Sequence, residues 1–260
     1  MIVLRSTLFA LVQSLATVFF ALVALLTFPF GPFARYRLIT LWNRFVVKAA
    51  ALICGIRFEI RGRENLPDRP VIVMAKHQSA WETIALPILL PPQAMVLKKE
   101  LLRIPFFGWG LALTSPIAID RHAGKEALRQ IVAQGRHRME QGFWVTIFPE
   151  GTRVKPGEAG RYAIGGGRLP PPPPTPGLPG GPHPRAGGAP PSLTQTPVLP
   201  VAHNAGEVWP RHSFIKRPGT ITVSIGPVIS SQGKKADALN AEIKAWIESE
   251  MKQLPHARAH

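Results

Sequence analysis

The sequence predicts an α/β fold, a mostly parallel sheet flanked by helices, carried behind an N-terminal helical segment that anchors the chain in a membrane. Three observations lead there. Residues 6–30 contain no charge, whereas beyond residue 56 compact apolar runs alternate with amphipathic ones, the pattern of strands interleaved with helices. The length, 260 residues, suffices for one core of ordinary size plus an appendage. The division read from this is an anchor over residues 1–56 and an α/β domain over 57–260, interrupted by a Pro/Gly-rich segment at 165–196.

At about 1.5 Å per residue, a helix over the charge-free run is long enough to cross a hydrocarbon layer of roughly 30 Å. It is longer than a typical signal-peptide core and shows no small-x-small cleavage pattern, so a retained anchor is expected. Arg35, Arg37, Arg44 and Lys48 follow the run and only Arg5 and the amino terminus precede it. That bias places the remainder in the cytoplasm, at the inner membrane. Residues 38–56 form a second apolar stretch. Arg44 and Lys48 lie four apart in it, on one helical face, which suits a helix in the headgroup layer.

Strands are expected at Phe58 and Ile60, which alternate with charges, and over the runs 71–75, 94–97, 116–119, 143–148 and 220–229. Helices belong between them. Leu128, Ile131, Val132 and Met139 share one helical face, and Leu239, Ile243, Trp246, Ile247 and Leu254 share another. Pro170 to Pro174 are five consecutive prolines, and neither a helix nor a central strand tolerates that. A solvated, partly polyproline-II linker is the expectation there.

The formal charge is +16, from 31 Lys and Arg against 15 Asp and Glu, so the surface should attract phosphates, anionic headgroups or acidic proteins. Nucleic acid is set aside, because no helix-turn-helix, zinc-ligand or RNA-binding-sheet pattern is present. Cys54, the single cysteine, excludes an internal disulfide or a multi-thiolate metal site and reads as a small buried hydrophobe. No metal site is implied.

His77 follows the apolar run 71–75 and precedes a helical pattern, so it stands at the carboxyl end of a strand, where ligands bind in such sheets. A neutral imidazole there can take a proton from an alcohol, given a carboxylate to hold the ring. Ser79 and Glu82 also fit a capping box, with Ser79 at the N-cap. The helix start beside His77 offers backbone donors for an anionic intermediate. The loop from Phe148 to Arg153 ends another strand and should emerge at the same sheet edge. Gly151 permits close backbone approach and Arg153 presents a fork suited to phosphate. Residues 104–113 are apolar and aromatic and are expected to serve mainly as core, with a wall for an acyl chain or a face on the bilayer as the functional alternative.

His77, four intervening residues and Glu82 resemble the His-(four residues)-Asp motif of the glycerol-phosphate acyltransferases. Three further blocks follow in that family's order: Lys98-Lys99-Glu100-Leu101 with Ile104 to Trp109, closing at Asp120-Arg121; Phe148 to Arg153; and Val198-Leu199-Pro200-Val201. Within the family the 1-acyl-glycerol-3-phosphate acyltransferases are the most similar. The resemblance implies a general base at His77, oriented by Glu82, which is one methylene longer than the family's usual Asp. It implies a phosphate clamp of Arg121 and Arg153 aided by Lys98 or Lys99, with Gly151 and Thr152 in the binding loop and Glu150 binding glycerol or organising the arginines. The implied reaction moves a fatty acyl group from a thioester, acyl-CoA or acyl carrier protein, to the free sn-2 hydroxyl of 1-acyl-glycerol-3-phosphate, giving phosphatidic acid without a bound cofactor. Two alternatives are an acyltransferase for another lysolipid, such as a lyso-ornithine lipid, and a non-catalytic protein that binds anionic lipid.

The family usually runs through a helix between its third and fourth blocks, and here the proline-rich stretch stands in that place. Such Pro, Gly, Ala and Arg composition over 167–196 is what a shifted frame in a GC-rich gene yields, and re-sequencing the segment tests that origin.

Overall fold

The computed structural model describes residues 1–120, 123–162 and 196–257. Arg121 and all but the last residue of the Pro/Gly-rich segment lie outside them. Helices α1 (Ile2–Leu26) and α2 (Pro32–Cys54) form a hairpin. Pro32 opens α2, where a missing N–H costs nothing, and Gly55 closes it at φ 72°, a left-handed cap that a side chain would strain.

Seven strands follow: β1 (Ile56–Arg61), β2 (Ile72–Ala75), β3 (Gln93–Lys98), β4 (Ile117–Ile119), β5 (Trp144–Ile147), β6 (Val198–His203) and β7 (Gly219–Ile225). They form one sheet in the order β1-β7-β6-β2-β5-β3-β4, parallel except where β6 meets β7. Helices α3 (Trp81–Leu89), α4 (Phe107–Leu113), α5 (Lys125–Glu140) and α6 (Ala236–Gln253) lie between and after the strands. The expected mostly parallel sheet flanked by helices is therefore the architecture found. The strand expected to run to residue 229 stops at Ile225, because Gly226 packs against the Trp246 ring and Pro227 lacks an N–H. Ile229 rejoins the sheet through a single bridge to Val198.

The central strands are buried on both faces, and their alternation splits the interior in two. Val73, Ala75, Leu199 and Val201 pack with Trp81, Val46, Ala50 and Phe9 on the face covered by the hairpin and α3. Ile72, Met74, Val145 and Ile147 pack with Ile131, Met139, Ile243 and Ile247 of α5 and α6 on the other. The helical face read from the sequence for α6 packs there, as do Ile131, Val132 and Met139 of the face read for α5, while Leu128 is not part of that cluster. Cys54 is buried, as its apolar surroundings predict.

The hairpin is fastened to α3 and to the segment before β7 by specific contacts. Asn43 Nδ2 donates to the Ile84 carbonyl at 2.8 Å, the Lys216 N–H donates to Ser6 Oγ at 2.9 Å, and Phe9 meets Trp209 edge to face. Its outer side stays apolar. Leu4, Leu8, Leu11, Leu15, Phe19, Leu22 and Leu26 form an exposed stripe along α1, and Leu38, Leu41, Phe45 and Leu52 extend it on α2. So large an uncovered apolar surface fits a bilayer. Among the described residues α1 is the one helix long and apolar enough to cross a membrane, and the chain is membrane-associated.

Candidate active site

β2 and β5 are neighbours in parallel register, Ile72 beside Val145 and Met74 beside Ile147, so the turn carrying His77 and the loop 148–153 leave the same sheet edge. The His77 ring stacks on Phe148, with centroids 4.2 Å apart, and the Val154 N–H donates to the His77 carbonyl at 2.8 Å. His77 and Arg153 line one cavity. The placement expected from the sequence, His77 and Arg153 on the same side of the sheet, is present.

Glu82 Oε1 lies 2.8 Å from His77 Nδ1. A carboxylate only accepts, so Nδ1 is the donor, and in the neutral tautomer this leaves the lone pair on Nε2. Oε1 also accepts the backbone N–H groups of Gln78 at 3.0 Å and Ser79 at 2.9 Å. The Glu82 side chain is 0 % exposed and that of His77 is 11 % exposed. Burial pushes the Glu82 carboxyl up, but His203, the bond from His77 and the Ser79 N–H together hold it below its ordinary value. It is therefore an anion at neutral pH. The helix itself starts at Trp81, after Ala80, but the contacts expected of the capping box form, the Ser79 N–H donating to Glu82 and the Trp81 N–H to Ser79 Oγ, and the same Glu82 oxygen meets the imidazole.

This geometry corrects one expectation. Three N–H groups at the start of α3 are not free for an anionic intermediate, since Gln78 and Ser79 give theirs to Glu82 and the Trp81 N–H goes to Ser79 Oγ at 3.0 Å. The helix start instead anchors the carboxylate that orients the base.

Glu150 is also placed differently from a glycerol ligand. Its side chain is fully buried, 3.5 Å from Lys76 Nζ, and it does not line the cavity. Burial pushes its carboxyl up to about 7, against the pull of its own backbone and of the Lys76 ammonium. Lys76 itself reaches Glu248 of α6 at 2.7 Å, and the Tyr162 hydroxyl donates to the same carboxylate. The sequence reading passed over Lys76. A lysine ending an all-apolar strand was the available signal, because a buried ammonium demands a carboxylate partner.

Gly151 adopts φ 65°, which explains glycine at the turn of this loop. Thr152 is exposed, and Arg153 is half-buried with its backbone carbonyl bonded by Arg211. Lys98 lines the cavity and lies 3.8 Å from Glu100. Lys99 instead pairs with Asp120 at 2.5 Å.

The cavity has a volume of about 270 Å³ and runs from His77 and Phe148 between α2, α3, β3 and α4 to Thr17, Phe20 and Ala21 of α1. Phe106, Phe107, Gly110 and Leu111 form part of its wall, while Ile104 and Trp109 face outward. Residues 104–113 are thus mainly wall and surface rather than core.

Residues 57–204 match the model of the acyltransferase family. The chain is 41 % identical over 256 residues to a 1-acyl-sn-glycerol-3-phosphate acyltransferase of Pseudomonas aeruginosa, covering 96 % of this chain and 91 % of that protein. It is 29 % identical over 202 residues to 1-acyl-sn-glycerol-3-phosphate acyltransferase alpha of Mus musculus, covering 76 % of this chain and 64 % of that one. Its fold is similar to the crystal structure of the 1-acyl-sn-glycerophosphate acyltransferase PlsC from Thermotoga maritima, with a TM-score of 0.72 and 19 % identity over 100 % of this chain and 98 % of the other.

Proposed function

The chain belongs to the acyltransferase family, and from that premise we propose that it transfers a fatty acyl group from a thioester to the sn-2 hydroxyl of 1-acyl-glycerol-3-phosphate, forming phosphatidic acid. The observation that carries this reading is the shared cavity. One wall offers a base, His77, a cation, Arg153, and an apolar channel reaching the membrane-facing hairpin.

His77 Nε2 accepts the proton of the acceptor hydroxyl as its oxygen attacks the thioester carbonyl carbon. The resulting imidazolium is stabilised by the Glu82 carboxylate 2.8 Å from Nδ1. The carbon–sulfur bond then breaks, and the departing thiolate takes the proton from Nε2. Atoms and charge balance without an acyl-enzyme. Arg153 holds the acceptor phosphate, assisted by Lys98, which also lines the cavity, and by Arg121. Gly151 and Thr152 shape that loop, and Glu150 supports it from beneath through Lys76. The acyl chain occupies the apolar channel.

The donor is acyl-CoA or acyl carrier protein, and the net charge of +16 suits the acidic protein partner. The basic residues that follow α1 favour an inner-membrane location with the catalytic residues toward the cytoplasm. Membranes containing the protein, given 1-acyl-glycerol-3-phosphate and a labelled acyl thioester, should produce labelled phosphatidic acid and leave a lyso-ornithine lipid unlabelled. Preferential labelling of the ornithine lipid, or of neither acceptor, contradicts the proposal.

A further inference from the structure

His203 ends β6, the strand beside β2. The register pairs Ala75 with Val201, so two residues further along each strand His203 stands level with His77. It is fully buried and cannot touch substrate. Its Nε2 lies 2.7 Å from the carbonyl of Lys76, the residue before His77, and its Nδ1 accepts the Ala205 N–H at 3.3 Å. A carbonyl only accepts and an amide N–H only donates, so these two neighbours fix one tautomer, neutral with the proton on Nε2.

The same Nε2 faces Glu82 Oε2 at 4.0 Å. That oxygen is buried and has no hydrogen bond of its own among the described residues, whereas Oε1 receives all three that Glu82 accepts. The Nε2–H therefore pins the peptide from which His77 projects, and the ring nitrogen lies 4.0 Å from the uncompensated oxygen of the carboxylate. Burial holds the His203 imidazole below its ordinary value, against the attraction of Glu82 and of the Lys76 carbonyl.

From this geometry we infer that His203 is a positioning residue for acyl transfer, setting the angle between the His77 imidazole and the Glu82 carboxylate from the buried side of the sheet. The inference rests on the proposed acyl transfer. A reacting group displaced by about 1 Å loses about a hundredfold in rate, so the backbone that carries the base needs such a clamp.

Two substitutions separate this role from packing. The Gln side chain places its amide nitrogen about where Nε2 stands, so His203→Gln keeps the bond to Lys76 and a donor group close to Glu82 Oε2. His203→Asn reaches only as far as Nδ1, so it keeps the local contact with Ala205 and loses the other two. In membranes assayed with 1-acyl-glycerol-3-phosphate and a labelled acyl thioester, His203→Asn should lower kcat about tenfold to a hundredfold, with the acceptor KM within about twofold. His203→Gln should retain kcat within about threefold. A fully active His203→Asn, a loss confined to KM, or a Gln variant no better than Asn overturns the inference. An inactive wild type overturns the acyl-transfer reading, and this inference with it. Independently of turnover, 15N-histidine spectra of the wild type should contain one signal, absent from His203→Gln, that stays neutral and Nε2-protonated between about pH 6 and 8. An imidazole that titrates there, or that carries its proton on Nδ1, contradicts the assignment.

Discussion

Replacing Glu82 by Gln alters the charge behind the base while nearly preserving its shape. The amide oxygen can still accept the N–H groups of Gln78 and Ser79, which lie 3.0 and 2.9 Å from Oε1 in the native protein. What disappears is the negative charge 2.8 Å from His77 Nδ1 at a position with no solvent access. In the transition state His77 gains a proton, and the substitution leaves that cation without its partner. Removing one member of a buried ion pair costs about 3–5 kcal/mol, which at roughly 1.4 kcal/mol per factor of ten is two to four powers of ten in rate. Because Glu82 does not line the cavity, the acceptor KM should stay within about twofold. The assay is the initial rate of phosphatidic acid formation by membranes carrying equal amounts of folded wild type and variant. A Glu82→Gln enzyme with kcat within about fivefold of wild type would refute the argument that this carboxylate orients and stabilises the base.

Two further outcomes follow from the same structure. The Glu150 carboxyl, raised from 4.5 to about 7 by burial, favours the folded protein at acid pH, where it is protonated in both states. As pH rises through that window the unfolded chain releases its proton first and the folded chain loses about 3 kcal/mol of stability. Glu150→Gln should remove this slope, so the melting temperature of the wild type should fall relative to the variant between about pH 5 and 7, and parallel curves would contradict it. Gly110 lines the cavity, and a Cβ there meets nothing within 4 Å. A phenyl ring at that position therefore fills the channel, and Gly110→Phe should cut kcat/KM for long-chain donors at least about tenfold more than for short ones. Equal loss at every chain length would argue against an acyl channel.

The fold was legible because its signals are local. Apolar runs such as 71–75 and 143–148 read directly as strands buried on both faces, and the face shared by Ile243 and Ile247 marked the packed side of α6. The dyad was legible for the same reason, since His77 and Glu82 sit on one strand-to-helix turn. What escaped notice depends on strand order. Lys76, Glu150 and Glu248 meet only because β2 and β5 are adjacent and α6 packs on β6, the other neighbour of β2, and no spacing in the chain encodes that. Some of the donors expected at the start of α3 for an oxyanion are occupied by Glu82 and Ser79, an outcome that the capping-box pattern of Ser79 and Glu82 already implied. The cavity was half visible. The aromatic run at 104–113 implied an apolar wall, but its union with Thr17 and Phe20 of α1 required the hairpin to fold against α4.

The most direct measurement of the central claim compares wild type with His77→Ala in membranes supplied with 1-acyl-glycerol-3-phosphate and a labelled thioester. A general base alone predicts a fall of about a hundredfold or more in phosphatidic acid formation, with acceptor binding retained through the Arg153 side of the cavity. Transfer at the wild-type rate in a folded His77→Ala protein would contradict the account.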